Sequence, residues 1–203
     1  MSSKNYHHGD LKNALIAAGV EILAKDGISG LSLRRVALHA GVSHSAPYAH
    51  FPDKQSLVAA ISTAGFHQLY SELDAAVLLY QHAPKQQLLA GAKAYAQFAL
   101  DHKDIFKIMF SSVLEKEKEY LSFVEISRKS FERVVDVVQA CQQANILSPG
   151  SPEMVALSVW GTVHGIVSLA LEGQIPHTIL EHQNIFDIIT FAIEQTTYAK
   201  RQL

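Results

Sequence analysis

The side chains able to do chemistry in this 203-residue chain are few and scattered. His7, His8 and Asp10 are of metal-ligating type, but a short terminal arm supplies no fixed coordination geometry. No HExxH, CxxC or matched His/Cys cluster occurs, so no metal is expected. Cys141 is the single thiol. Only distant Arg128, Lys129 and Arg133 could favour its thiolate, so it reads as a packed cysteine rather than a redox sensor. A nucleophile elbow, a phosphate-binding glycine loop and an acid pair are all missing, and with them any basis for enzyme chemistry or a cofactor. Trp160 and His164 stand i, i+4 and share one helix face. They either pack a core with a satisfied imidazole or line a small-molecule pocket in which His164 is the polar fixing group. Phe98, Phe106, Met109 and Phe110 are candidate walls of such a pocket. What remains is a chain built to bind.

The elements that could position a binding surface are most legible in Leu31–Lys54, LSLRRVALHAGVSHSAPYAHFPDK. Ser32 is a natural cap for a short helix whose apolar side is Leu33, Val36, Ala37 and Ala40. Gly41 ends that helix, since glycine takes the left-handed conformation without steric cost. Val42 fills the corner, and Ser43 starts a second helix that ends near Phe51-Pro52. Ala37 presents a small side chain where the second helix must cross closely. A helix, a glycine turn and a helix form the helix-turn-helix arrangement, which places its second helix in a DNA major groove. Arg34 and Arg35 are adjacent and point about 100° apart on a helix, so only one faces DNA squarely. Arg34 is the better placed, with Arg35 a solvated or phosphate-facing neighbour.

Charge only permits this reading. The formal net charge is −2, but residues 1–60 hold six Lys/Arg against four Asp/Glu, and the remainder 11 against 15. A hydrophobic content of 48% supports one substantial core or a small domain plus a larger one. Strand alternation and hairpin turns are scarce, so the expected class is all-α. The single cysteine and the polar start MSSKNYHHGD fit a cytoplasmic protein without a signal peptide.

The first helix is expected over Leu11–Lys25, capped by Asp10 and ended by Asp26-Gly27. Asp53 caps a long helix running to about Tyr80, roughly 40 Å at the usual rise. Further helices are expected from Pro84, over Asp104–Phe110, and to about Ala144; the run Glu115–Glu119 before the last reads as a solvated face. Ser148-Pro149-Gly150 is a linker, and Ser151-Pro152-Glu153 a strong helix start. Met154–Leu171 carries no charge and approaches the length of a membrane span. Its Ser158, Thr162, His164 and Ser168 favour a helix buried on several sides in a core or subunit interface, and no membrane association is expected. A last, strongly apolar helix is expected over about Leu180–Lys200. Two neighbouring helices this apolar are hard to bury in one monomer, and a homodimer would cover them.

The stretches YHHGDLKNALIAAGVEILAKDG and LSLRRVALHAGVSHSAPYAHFPDKQSLVAA strongly resemble the N-terminal domain of TetR-type transcriptional regulators, over about Tyr6–Phe66. Trp160-Gly161-Thr162-Val163-His164-Gly165 resembles the signature of a subgroup whose C-terminal domain is named for its Trp, His and Gly. The resemblance implies an all-α homodimer with a three-helix DNA-binding head, residues 1–55, and a larger ligand-binding and dimerisation domain, residues 56–203. It implies a repressor that binds a pseudo-palindromic operator and is released by a small-molecule effector. Carried over by position, Arg34 contacts bases or phosphate. Ser43, His44, Ser45 and Ala46 read base edges, and Tyr48, His50 and Lys54 meet phosphates, roles that suit their side-chain chemistry. The chain departs from many family members in having Ala46-Pro47-Tyr48 where they carry Thr-Leu-Tyr. Pro47 removes the first hydrogen bond of a helix begun at Ser43, so that helix is expected to start late or with a loose first turn. A helical carrier or enzyme whose head has lost DNA function is the rival reading.

Overall fold

The computed structural model describes residues 8–112, 114 and 117–197. Their order is α1 (His8–Gly30), α2 (Leu33–His39), a 3₁₀ turn (Ala46–Ala49), α3 (Lys54–Leu78), α4 (Pro84–Asp101) and α5 (Lys103–Met109). Next come a second 3₁₀ turn (Glu117–Glu119), α6 (Leu121–Gln143), α7 (Pro152–Leu171), α8 (His177–Leu180) and α9 (Ile185–Thr196). Among the described residues the only β-type contact is an isolated bridge between Leu147 and Thr197. The fold is all-α, as expected. His7, Glu115 and Lys116 lie outside the described residues; Lys118 and Glu119 of the same charged run are exposed.

The chain forms two compact units, one of residues up to Phe66 with Asp104–Ile126, the other of His67–Lys103 with Ser127 onward. In the first, α1 runs to a kink at Gly27, whose φ of 65° marks the break expected at Asp26-Gly27. Leu15, Ala18, Ile22 and Leu23 of α1 are buried with Leu33, Val36 and Ala37 of α2 and Leu57, Val58 and Ile61 of α3. α3 opens on a reciprocal cap: Asp53 Oδ1 accepts the Ser56 N–H at 2.7 Å, and Ser56 Oγ accepts the Asp53 N–H at 3.2 Å. Further along, Phe66 meets the rings of Phe110 and Phe123 edge-on at 5.4 and 5.6 Å. Gly65 lets α5 come close there, since a Cβ would stand 2.6 Å from both Ile105 Cγ2 and Met109 Sδ.

In the second unit α7 packs on α9 and α4. Ser151 caps α7 by accepting the Met154 N–H, with Pro152 next in line. Only one stripe of α7 is buried, Ala156, Val159, Val163 and Val167, while Met154 is 64% exposed and Leu157 and Leu169 nearly half. Phe191 of α9 is also 64% exposed. Burial on several sides is therefore not reached within one chain. The last helix also differs from expectation, starting at Ile185 rather than near Leu180. The cause is local: the Asn184 side chain accepts the Phe186 and Asp187 N–H groups while Asp187 accepts from the Asn184 N–H. That capping box separates α9 from the short α8. The expected end at Lys200 falls outside the described residues.

Candidate functional site

The helix-turn-helix is set by two local devices. Ser32 Oγ accepts the Arg35 N–H at 3.2 Å and starts α2. At the other end the Val42 N–H reaches the Ala37 carbonyl (3.0 Å) and the Gly41 N–H the Leu38 carbonyl (3.2 Å). With Gly41 at φ 69° this is a Schellman stop, and it turns the chain sharply into Ser43.

The segment beyond this turn is shorter than an α-helix. Pro47 has no N–H to return to the Ser43 carbonyl, which instead takes the Ala46 N–H at 3.0 Å. Tyr48 N–H bonds to Ser45 O at 3.2 Å, also three residues back, and a four-residue bond returns only where Phe51 N–H reaches Pro47 O at 2.8 Å. The recognition segment is a one-turn 3₁₀ helix, Ala46–Ala49, where the spacing predicts an α-helix from Ser43. Its inner side is Pro47, buried, so the residue that shortens the helix also anchors it. Ser43, His44 and Ser45 are exposed, the two serine hydroxyls 3.1 Å apart. Ala46 and His50 are half-buried, with His50 tilted beside Phe51, and Tyr48 is 57% exposed.

Arg34 is exposed on α2. Arg35 is not simply solvated: its guanidinium pairs with Asp26 and donates to the Gly30 carbonyl at 2.9 Å, tying α2 to the kinked end of α1. Lys54 is half-buried, its Nζ donating to the Ile28 carbonyl at 2.8 Å. A cation at the carbonyl end of a helix is favourable, so Lys54 joins the start of α3 to the end of α1. Sequence spacing gives no sign of either contact, because their partners lie nine and 26 residues away.

The second unit holds a narrow cleft with about 40 Å³ of free space. Leu73 and Val77 of α3, Leu88 of α4, Val137 of α6, and Val159 and Val163 of α7 contribute to its wall. Trp160 also stands in the wall, whereas His164 does not. The two are joined through Tyr95, which the sequence pattern does not single out. Trp160 Nε1–H can only donate, so the Tyr95 oxygen accepts it at 3.1 Å. The phenolic proton then points to His164 Nδ1, 2.7 Å away. Burial pushes the Tyr95 hydroxyl well above its ordinary range, against a smaller lowering by the Trp160 bond, so it keeps that proton. Burial also lowers His164, favouring the neutral imidazole that accepts it. A tyrosine within an apolar helical stripe is the signal that could have found this link.

Phe98 is fully buried in the second unit, its ring 5.1 Å from that of His102. Phe106, Met109 and Phe110 belong to the first unit, Phe106 and Phe110 in ring contact at 4.9 Å. None of these four is in the cleft wall. Cys141 is buried, its Sγ 3.3 Å from the Pro84 carbonyl, and burial pushes the thiol up to about 11. Among the described residues no three His, Cys, Asp or Glu side chains gather as a metal site would require.

Residues 15–61 match the family model of bacterial regulatory proteins of the tetR family, and residues 88–192 match the tetracycline repressor-like C-terminal domain. No curated relative matches the chain. A protein of unknown function from Rhodococcus sp. RHA1 is 33% identical, with a TM-score of 0.80 over 96% of this chain and 97% of that one. A TetR family transcriptional regulator from Thermus thermophilus shares the fold at 14% identity, with a TM-score of 0.70 over 93% of this chain and 99% of its own. A tetR-family regulatory protein from Rhodococcus RHA1 does so at 20% identity and a TM-score of 0.70, covering 91% and 94%. With its C-terminal match spanning just over half its length behind a capped helix-turn-helix, the chain belongs to the TetR family of DNA-binding transcriptional regulators.

Proposed function

We propose that this chain is a homodimeric repressor that binds a pseudo-palindromic operator through residues 1–55 and is released by a small molecule bound in residues 56–203. The observation that carries the reading is the continuity of α3. It starts at Lys54, directly behind the recognition segment, and near its far end it places Leu73 and Val77 in the cleft wall. A ligand in the cleft touches the same helix that anchors the DNA-reading turn. A 100-fold difference in operator affinity between the two states needs about 2.7 kcal/mol of coupling, within the usual range. This functional division is not the packing division, since Asp104–Ile126 packs with the head.

In the proposed complex Ser43, His44, Ser45 and Ala46 enter the major groove, and Arg34 reaches base edges or phosphate from α2. Tyr48 and His50 meet phosphates. Lys54 keeps its bond to Ile28 and offers its remaining protons to the backbone. The short 3₁₀ segment favours close approach by the exposed Ser43, His44 and Ser45 just before it over a long helix lying in the groove.

A second copy accounts for the exposed apolar side of α7 and α9. Met154, Leu157, Leu169 and Phe191 are its large members, and a Cβ at Gly161 or Gly165 would meet nothing within 4 Å. Those glycines let another helix approach closely. Two heads about 34–36 Å apart would then enter successive major grooves. Selection of bound sequences from a random duplex pool tests the proposal. A two-fold symmetric winner is expected, and enrichment of an asymmetric site, or none, counts against it.

A further inference from the structure

The corner Asp26–Gly30, between the kink of α1 and the start of α2, holds two cations of the head. Arg35 pairs with the Asp26 carboxylate and donates to the Gly30 carbonyl at 2.9 Å, while Lys54 donates to the Ile28 carbonyl at 2.8 Å. The fit around Arg35 is close. A Cβ at Gly30 would stand 2.8 Å from its Nη1 and nearer still to Asp26 Cβ. Yet the pair faces solvent, the Arg35 side chain being 49% exposed and that of Asp26 31%. An exposed ion pair contributes little to stability, so stability does not account for it. Its neighbour does. Arg34 is exposed on the same first turn of α2. Adjacent Cα atoms lie about 3.8 Å apart, less than half the Debye length of about 10 Å at 0.1 M salt, so both guanidiniums feel the same stretch of DNA backbone. A free guanidinium there would bind phosphate in any sequence, because backbone contacts carry no sequence information.

We propose that Asp26 is a specificity-determining residue, which withholds Arg35 from the DNA backbone and keeps it as a positioning group for α2. The inference rests on DNA binding by the head. With the Arg35 charge cancelled, non-specific affinity stays low and the contacts of Arg34 and Ser43–Ser45 keep their weight. The ratio of specific to non-specific binding, rather than either affinity alone, decides which sites are filled. Arg35 in turn braces the start of α2, where its own N–H donates to the Ser32 cap.

Anisotropy of a labelled duplex of arbitrary sequence, titrated with the intact protein over about 50–200 mM salt, reads the non-specific affinity. Asp26→Asn should bind that duplex about three- to tenfold more tightly, and its plot of log affinity against log salt should steepen by about 0.9, the slope of one phosphate. On the selected operator the gain should be smaller, so the operator-to-random ratio falls. Glu21→Gln adds the same charge to the head but frees an imidazole, that of His39, in place of a guanidinium, and should leave the slope unchanged. Arg35→Gln is the second variant, should Asp26→Asn not fold. Its slope should match the parent's, a readout that a loosened α2 alone does not move. An unchanged slope in Asp26→Asn, or an equal steepening in Glu21→Gln, overturns the proposal. So does a slope lower by about 0.9 in Arg35→Gln, which would make Arg35 an ordinary phosphate contact. No binding of either duplex by the parent would refute the DNA-binding reading itself, a result distinct from all of these.

Discussion

Removal of one oxygen, Tyr95→Phe, tests the link between α4 and α7 most sharply. The hydroxyl accepts from Trp160 at 3.1 Å and pairs with His164 at 2.7 Å. A net hydrogen bond contributes about 0.5–1.5 kcal/mol, so losing two costs about 1–3 kcal/mol. The lower half of that range applies, because Trp160 and His164 are half-buried and water can replace part of what is lost. At roughly 2–4 °C per kcal/mol for a chain of this size, Tm should fall by about 3–6 °C. Calorimetry and urea titration measure it, and a double cycle with Trp160→Phe isolates the pair. The double variant should cost less than the sum of the two singles by about 0.5–1 kcal/mol. A Tyr95→Phe protein as stable as the parent, or strict additivity, would refute the geometry drawn for this link.

Four further outcomes rest on single features. Because burial lowers His164 in the folded chain, the unfolded chain binds its proton first; this stability is present at neutral pH and is lost as pH falls below the ordinary histidine range. Chemical denaturation at pH 7.5 and 5.5 should show a smaller fall for His164→Gln than for the parent. Gly41→Ala should cost about 1–2 kcal/mol from its φ of 69° alone, since a Cβ there meets nothing within 4 Å. Gly65→Ala should cost about 1–3 kcal/mol for the opposite reason, a clash with Ile105 and Met109, and both are read by thermal melts. Leu169→Glu, on the exposed side of α7, should shift sedimentation from dimer toward monomer with helicity unchanged.

The features legible in the sequence are those decided within one turn of chain. Ser32, Gly41 and Asp53 announce their caps and stops by residue type, and the structure places all three where local chemistry puts them. Pro47 is legible as a missing hydrogen bond. Its outcome, a 3₁₀ turn anchored by the proline itself, depends on burial against neighbours that spacing does not identify. Long-range choices are illegible for the same reason. Nothing in the pair Arg34-Arg35 says that Asp26 takes the second, nor in Phe98, Phe106 and Phe110 which core each one joins. The start of α9 is legible too, although the expectation of a helix from Leu180 passes over it: Glu181-His182-Gln183-Asn184 interrupts the apolar pattern, and Asn184 with Asp187 three residues on is the capping box that starts the helix.

The central claim is that a ligand in the second unit and DNA on the head act on one molecule through α3. Fluorescence anisotropy on the selected operator duplex, titrated with protein at rising salt and then repeated with saturating cleft ligand, tests it directly. Two chains per duplex, a steep loss of affinity with salt, and at least tenfold weaker binding with ligand are predicted. Operator affinity unchanged by a ligand shown to occupy the cleft would contradict it.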